Sequence, residues 1–119
     1  MSKYRAKKMV IDGMTFDSKK EGLRFLQLKE LDRQGKIKNL RMQVEYELIP
    51  LQKEPDTVGP RGGVIRGRVY EHKVTYIADF VYEENGKTVV EDVKGMRTRE
   101  YIIKRKLMLW RHGIKIREI

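Results

Sequence analysis

The dipeptide Asn85-Gly86 sits between two apolar, β-branched runs, and no other feature restricts the fold of this chain as tightly. Asn-Gly accepts the positive φ angles of a two-residue type I′ turn, so a hairpin is expected with strands from about Val69 to Glu83 and from Thr88 to Lys94. If the turn holds two residues, Glu84 pairs with Lys87, and counting back along the ladder sets Asp79 directly opposite Asp92. Opposed carboxylates in a sheet repel each other, and here they stand among Ile77, Ala78, Phe80, Val89 and Val90, where ionised groups are costly to bury. Such a pair is expected to hold a cation. Lys94 lies two residues beyond Asp92 and, by strand alternation, on the same face. A longer turn over Glu84 to Lys87 would shift the register and put Glu91 in the place of Asp92, so both remain candidates.

Two carboxylates beside an ammonium group suit a hard divalent ion, Mg²⁺ or Mn²⁺, with a lysine free to orient or deprotonate an attacking water. That is the chemistry of phosphodiester hydrolysis. The charge balance agrees: 27 Lys and Arg against 17 Asp and Glu leave a formal charge of +10, which attracts a polyanion such as DNA. The chain has no cysteine, which excludes thiolate metal sites and thiol nucleophiles. His72 and His112 stand too far apart for metal-ligand spacing and are given no catalytic role. No apolar run approaches a membrane span and the opening residues lack a signal-peptide core, so a cytoplasmic protein without membrane attachment is expected.

Around the hairpin, the remaining elements are legible. Met9-Val10-Ile11 and Met14-Thr15-Phe16 flank Asp12-Gly13, a second type I′ signal and a short N-terminal hairpin. Helix formers run from Ser18 to about Gln34, with Gly35 as a stop. Val44-Glu45-Tyr46-Glu47-Leu48 alternates as a strand wet on one face, ended by Pro50. Residues 51–68 are rich in Pro, Gly and Arg and read as a flexible basic loop or a loosely ordered hairpin extension. Thr98 to His112 forms a second helix with Ile103, Leu107 and Trp110 at i, i+4 and i+7, closed by Gly113, and Ile114 to Ile119 a terminal strand. The expectation is one α/β (α+β) domain over residues 1–119, a mixed sheet flanked by two helices.

With these elements in place, Ile77-Ala78-Asp79 followed by Asp92-Val93-Lys94 resembles the bipartite motif of the PD-(D/E)xK nuclease superfamily, Ala78 standing where proline is usual. The αβββαβ order is that superfamily's restriction-endonuclease-like core. Tyr4-Arg5-Ala6-Lys7-Lys8, Phe16-Asp17-Ser18-Lys19-Lys20-Glu21 and Glu91-Asp92-Val93-Lys94-Gly95 resemble small phage-encoded proteins of unknown function placed there, over nearly the whole chain. The superfamily includes Holliday-junction resolvases and restriction enzymes, so the resemblance implies a Mg²⁺-dependent endonuclease acting on DNA, in the host cytoplasm if phage-encoded.

The resemblance also implies that a glutamate on the first helix joins the metal site, and the matching position is Glu21. Ser18-Lys19-Lys20-Glu21 equally reads as a capping box, while Glu21 shares an inward stripe with Phe25 and Leu28. The expected site is therefore Glu21, Asp79 and Asp92 as ligands with Lys94. Arg61, Arg66, Arg68, Lys104 and Arg111 are expected on the DNA backbone, and Gln43 and Tyr101, like Glu91, are accessory candidates. A homodimer cutting branched or junction DNA would suit so small a domain. The rivals are a DNA-binding module without catalysis and a phage assembly protein that uses its basic surface on an acidic partner.

Overall fold

The computed structural model describes residues 7–94 and 96–119. The Tyr4-Arg5-Ala6 part of the basic opening segment, and Gly95, expected to break the second hairpin strand, lie outside the described residues.

Local sequence chemistry explains the first elements. Strands β1 (Met9–Ile11) and β2 (Met14–Phe16) pair antiparallel around Asp12 and Gly13, whose φ angles of +51° and +77° are those of the expected turn. Helix α1 (Lys19–Arg33) begins where the Ser18 hydroxyl accepts the Glu21 backbone N–H, and Gly35 follows its end with φ +73°. The hairpin lies close on α1: a Cβ added to Gly22 would come within 2.8 Å of the Met9 sulfur.

Strand β3 (Lys38–Ile49) is longer than the alternating run that announced it. The chain then forms β4 (Gln52–Lys53), β5 (Thr57–Val58), β6 (Val64–Ile65), β7 (Val69–Glu71), β8 (Val74–Glu84), β9 (Lys87–Asp92), α2 (Arg99–His112) and β10 (Arg117–Glu118). Strands β10, β9, β8 and β3 lie side by side in that order. The β3–β8 and β8–β9 pairs are antiparallel and β9–β10 is parallel, so the sheet is mixed. Without the N-terminal hairpin and the short pairs between β3 and β8, the order is αβββαβ.

The sheet has a core on each face. Phe16, Phe25, Leu28, Ile37, Phe80 and Tyr82 pack under α1, and Leu48, Tyr76, Ala78, Val81, Val90, Met108 and Ile116 pack against α2. One expectation about α2 fails. Ile103 and Trp110 are 59 % and 80 % exposed, because the helix turns Tyr101 and Met108 inward, with Ile102 and Leu107 half-buried beside them. The apolar spacing was present, but the sheet selects a neighbouring stripe.

The single strand expected from Val69 is broken at His72-Lys73, and the terminal strand is confined to Arg117–Glu118. Residues 51–68 are a hairpin extension rather than a structureless loop: β4 pairs with β7 and β5 with β6, prolonging the β3–β8 ribbon. The radius of gyration is 19.0 Å, against about 13–14 Å for a compact chain of this length, which shows how far the extension reaches from the sheet. No helix among the described residues is long and apolar enough to cross a membrane.

Candidate active site

The turn at Asn85-Gly86 takes φ angles of +53° and +75°, and the β8–β9 register begins with Glu84 opposite Lys87 and reaches Phe80 opposite Glu91. One step further, Asp79 meets Asp92, as the two-residue turn requires. Asp79 Oδ2 accepts the Val93 backbone N–H at 2.8 Å, which holds its carboxyl beside the residue that follows Asp92. The Asp79 carboxyl is pushed up to about 8, chiefly by burial and then by the neighbouring Asp92, with Glu21 adding to the rise and the Val93 amide opposing it. Burial beside a second carboxyl group thus favours the protonated form of Asp79.

Lys94 lies on the Asp92 side of this pair. Its Nζ is 2.7 Å from Asp92 Oδ2 and 3.6 Å from the centre of the Tyr101 ring, an ion pair and a cation–π contact that fix the ammonium group. Tyr101, an accessory candidate, thus serves through its ring; its buried hydroxyl, like that of Tyr76, has no hydrogen-bond partner among the described residues. The Tyr76 hydroxyl is held well above its ordinary range by burial and by the nearby Asp92 carboxylate. Nothing in the sequence marked Tyr76, which becomes adjacent to Asp92 only through the sheet. Asp92, Lys94, Tyr76, Tyr101 and Lys104 line a cleft of about 340 Å³.

Glu21 approaches from the other side. It is 6 % exposed, and Oε1 accepts a hydrogen bond from Gln43 Nε2 at 3.2 Å. Only half of the capping box forms, since Ser18 caps the Glu21 amide while the Glu21 side chain turns towards Gln43. Its carboxyl is raised by burial first, then by Asp17, with a smaller contribution from Asp92. Glu21 and Gln43 line a second cleft, of about 430 Å³, with Phe16, Asp17 and Met42.

Gln43 itself has φ +53°, a left-handed conformation in the middle of a strand. Its neighbours Met42 and Val44 pair with Phe80 and Ala78, so Gln43 stands across from Asp79. At this row the alternation of faces reverses. Met42 and Phe80 pack on the α1 side, and Val44 and Ala78 on the α2 side, although each pair is only two residues apart. A row of Gln43, Asp79 and Asp92 thus crosses three strands where the sheet changes the side it presents.

Glu91 belongs elsewhere. It is fully buried on the α1 face, where Arg24 grips it with two hydrogen bonds of 2.8 and 2.6 Å and the Tyr82 hydroxyl donates a third. Arg24 is three residues after Glu21 on α1, a spacing that could have pointed to it. The register alternative that exchanged Glu91 for Asp92 is therefore not realised.

Of the expected DNA contacts, Lys104 lines the Asp92 cleft while pairing with Glu100 at 3.1 Å, and Arg111 is tied to Glu47 on β3 at 2.9 Å. Arg61, Arg66 and Arg68 lie exposed on the extension, remote in sequence from the row of carboxylates. Among the described residues, no three His, Asp or Glu side chains stand close enough together to hold an ion jointly. The donor chemistry is nonetheless of the right kind for a hard divalent cation: the facing carboxyl groups of Asp79 and Asp92, with the Glu21 carboxylate near enough to raise Asp79 further.

A family model described as a protein of unknown function, DUF1064, matches residues 1–117. No curated protein and no solved structure matches the chain.

Proposed function

We propose that this chain, which belongs to the DUF1064 family, is a divalent-cation-dependent endonuclease that hydrolyses phosphodiester bonds of DNA. The observation that carries this reading is the Asp79–Asp92 pair: two carboxyl groups on facing positions of β8 and β9, Asp79 raised by burial and by Asp92, with Lys94 held 2.7 Å from Asp92. A sheet does not retain such a pair for stability, since each partner raises the cost of ionising the other.

The residues divide the work as follows. Asp79 and Asp92 would hold Mg²⁺ or Mn²⁺ through their carboxylate oxygens, Asp79 in its ionised form. Gln43 holds the Glu21 carboxylate towards the same row, so Glu21 can complete the ligand set directly or through water. A bound cation would supply positive charge for a phosphate oxygen and lower the pKa of a coordinated water. Lys94, clamped between Asp92 and the Tyr101 ring, orients the attacking water through its ammonium group and offsets charge on the transition state. Lys104 offers a charge to the phosphate backbone from the wall of the cleft. The net charge of +10 supports a nucleic-acid substrate, and a homodimer on branched DNA remains the assembly proposed.

The test is a gel assay on plasmid, linear duplex and four-way junction DNA with Mg²⁺, Mn²⁺ or EDTA, with Asp79→Ala and Lys94→Ala in parallel. Cation-dependent cutting, lost in both variants, is the expected result. One observation favours a second reading, a DNA-binding module without catalysis. Lys94 and the Asp79 proton already neutralise the pair without a cation, and no three ligand-type side chains converge among the described residues. DNA bound equally in EDTA and Mg²⁺, and cut in neither, would establish that reading instead.

A further inference from the structure

The extension between β3 and β8 is built as a stiff arm. At its base, the Glu54 N–H donates to the Arg68 carbonyl at 2.8 Å and the Tyr70 hydroxyl donates to the Glu54 carboxylate at 2.5 Å. Lys53 pairs with Asp56 at 2.6 Å, and Asp56 Oδ1 also accepts the Gly67 N–H at 2.8 Å. The two chains cross so closely at Gly67 that an added Cβ would lie 1.8 Å from the Glu54 carbonyl oxygen. Beyond this lock, β5 and β6 pair alone, and Gly59 and Gly62 close the tip through hydrogen bonds of 2.8 and 3.0 Å.

Two properties of the arm have no use within the chain. Glu54 and Asp56 are engaged within the arm, whereas Arg61, Arg66 and Arg68 have no acidic partner among the described residues. Its tip exposes apolar side chains, Val58 at 76 %, Val64 at 71 % and Ile65 at 53 %. An isolated two-stranded hairpin is marginal in water, so a tip that buries nothing is suited to burial against a partner. Cations beside small apolar side chains on a slender ribbon complement a duplex groove, where phosphates line the edges and base edges form the floor.

We propose that the arm is a DNA-binding ribbon: Arg61, Arg66 and Arg68 pair with backbone phosphates while Val58 and Val64, cross-strand partners on one face of the ribbon, press against the bases of a duplex groove. It rests on the reading of the protein as one that acts on DNA, but not on catalysis. The arm would extend the footprint of a small enzyme along the duplex, roughly 25–30 Å from the end of the sheet if its strands are fully extended.

The experiment measures binding of the full chain to fluorescent duplex DNA in EDTA, between 50 and 200 mM salt. Wild type is compared with Arg61→Ala/Arg66→Ala/Arg68→Ala and with Val58→Ser/Val64→Ser, each checked for an unchanged melting temperature. Losing three phosphate contacts is expected to lower the log–log salt slope by about 2 to 3. The serine variant is expected to bind roughly tenfold or more weakly with its slope unchanged, as apolar contact requires. Wild-type affinity and slope in both variants would overturn the proposal, as would no DNA binding by wild type. So would a DNA-free dimer, seen by sedimentation, that the serine variant abolishes while DNA affinity stays the same. Arm-dependent binding by a protein that cuts no DNA would leave the arm standing and remove only the nuclease reading.

Discussion

Gln43 stands across the β3–β8 ladder from Asp79 with a φ of +53°, and its amide reaches 3.2 Å from the Glu21 carboxylate. A non-glycine residue in that conformation costs roughly 1–2 kcal/mol, and outliers of this kind gather at functional sites. Here the distortion places one side chain between α1 and the carboxylate pair. Gln43→Gly is expected to change stability by less than about 1 kcal/mol, because relief of the left-handed strain is offset by the flexibility of glycine. DNA cleavage is expected to fall in the same variant, since Glu21 loses its tether. Thermal unfolding and the gel assay, run on one preparation, check both; a stable variant cutting at the wild-type rate would remove Gln43 from the site.

Removing the groups at the centre should act on chemistry rather than on folding. Asp79→Ala and Lys94→Ala are each expected to reduce the single-turnover cleavage rate by about 100-fold or more. Asp79→Asn should do the same while retaining the shape of the site. DNA affinity measured in EDTA should be unchanged within about twofold, because the phosphate contacts lie elsewhere.

The raised Asp79 carboxyl gives stability a definite dependence on pH. Its folded value near 8 lies above the ordinary value of 3.8, so the folded state binds more protons than the unfolded state between those limits. The proton-linked contribution is therefore fully present below about pH 4 and is lost as pH rises through about 8. Asp79→Asn should flatten this part of the profile and be more stable than wild type at pH 8 without metal. For the same reason Mg²⁺ should raise the melting temperature of wild type more at pH 8 than at pH 6, and that of Asp79→Asn at neither. Calorimetry across this range decides it.

Glu91 and Asp92 are neighbours with opposite expected phenotypes. Arg24→Ala leaves the fully buried Glu91 without its ion-pair partner, and breaking a buried pair typically costs about 3–5 kcal/mol. Asp92→Asn keeps the site's packing and should cost little stability while abolishing cleavage. Denaturant titration of the two variants separates the roles; equal destabilisation would show that Asp92 is structural as well.

The lock at the base of the arm is open to a single substitution. Gly67→Ala pushes a methyl group into the Glu54 backbone, so the ladders beyond it should separate while the sheet stays intact. Limited proteolysis is expected to cleave within residues 51–71 of this variant well before wild type, with the melting temperature of the core unchanged.

What the sequence by itself determined is local. Asn85-Gly86 admits one common two-residue turn, and once that turn forms, the register it sets brings Asp79 opposite Asp92. Ser18, Gly35, Thr98 and Gly113 mark the ends of both helices through capping chemistry that needs no distant partner. The tertiary structure decided what depends on contacts distant in the chain. Trp110 and Ile103 share a helical stripe that sequence alone cannot tell from the one that meets the sheet. Glu91 is drawn to Arg24 because strand alternation turns it to the face that α1 covers. The left-handed turn at Gln43 coincides with the point where β3 passes from packing on α1 to packing on α2, and that reversal is a property of the assembled layers, absent from any local pattern.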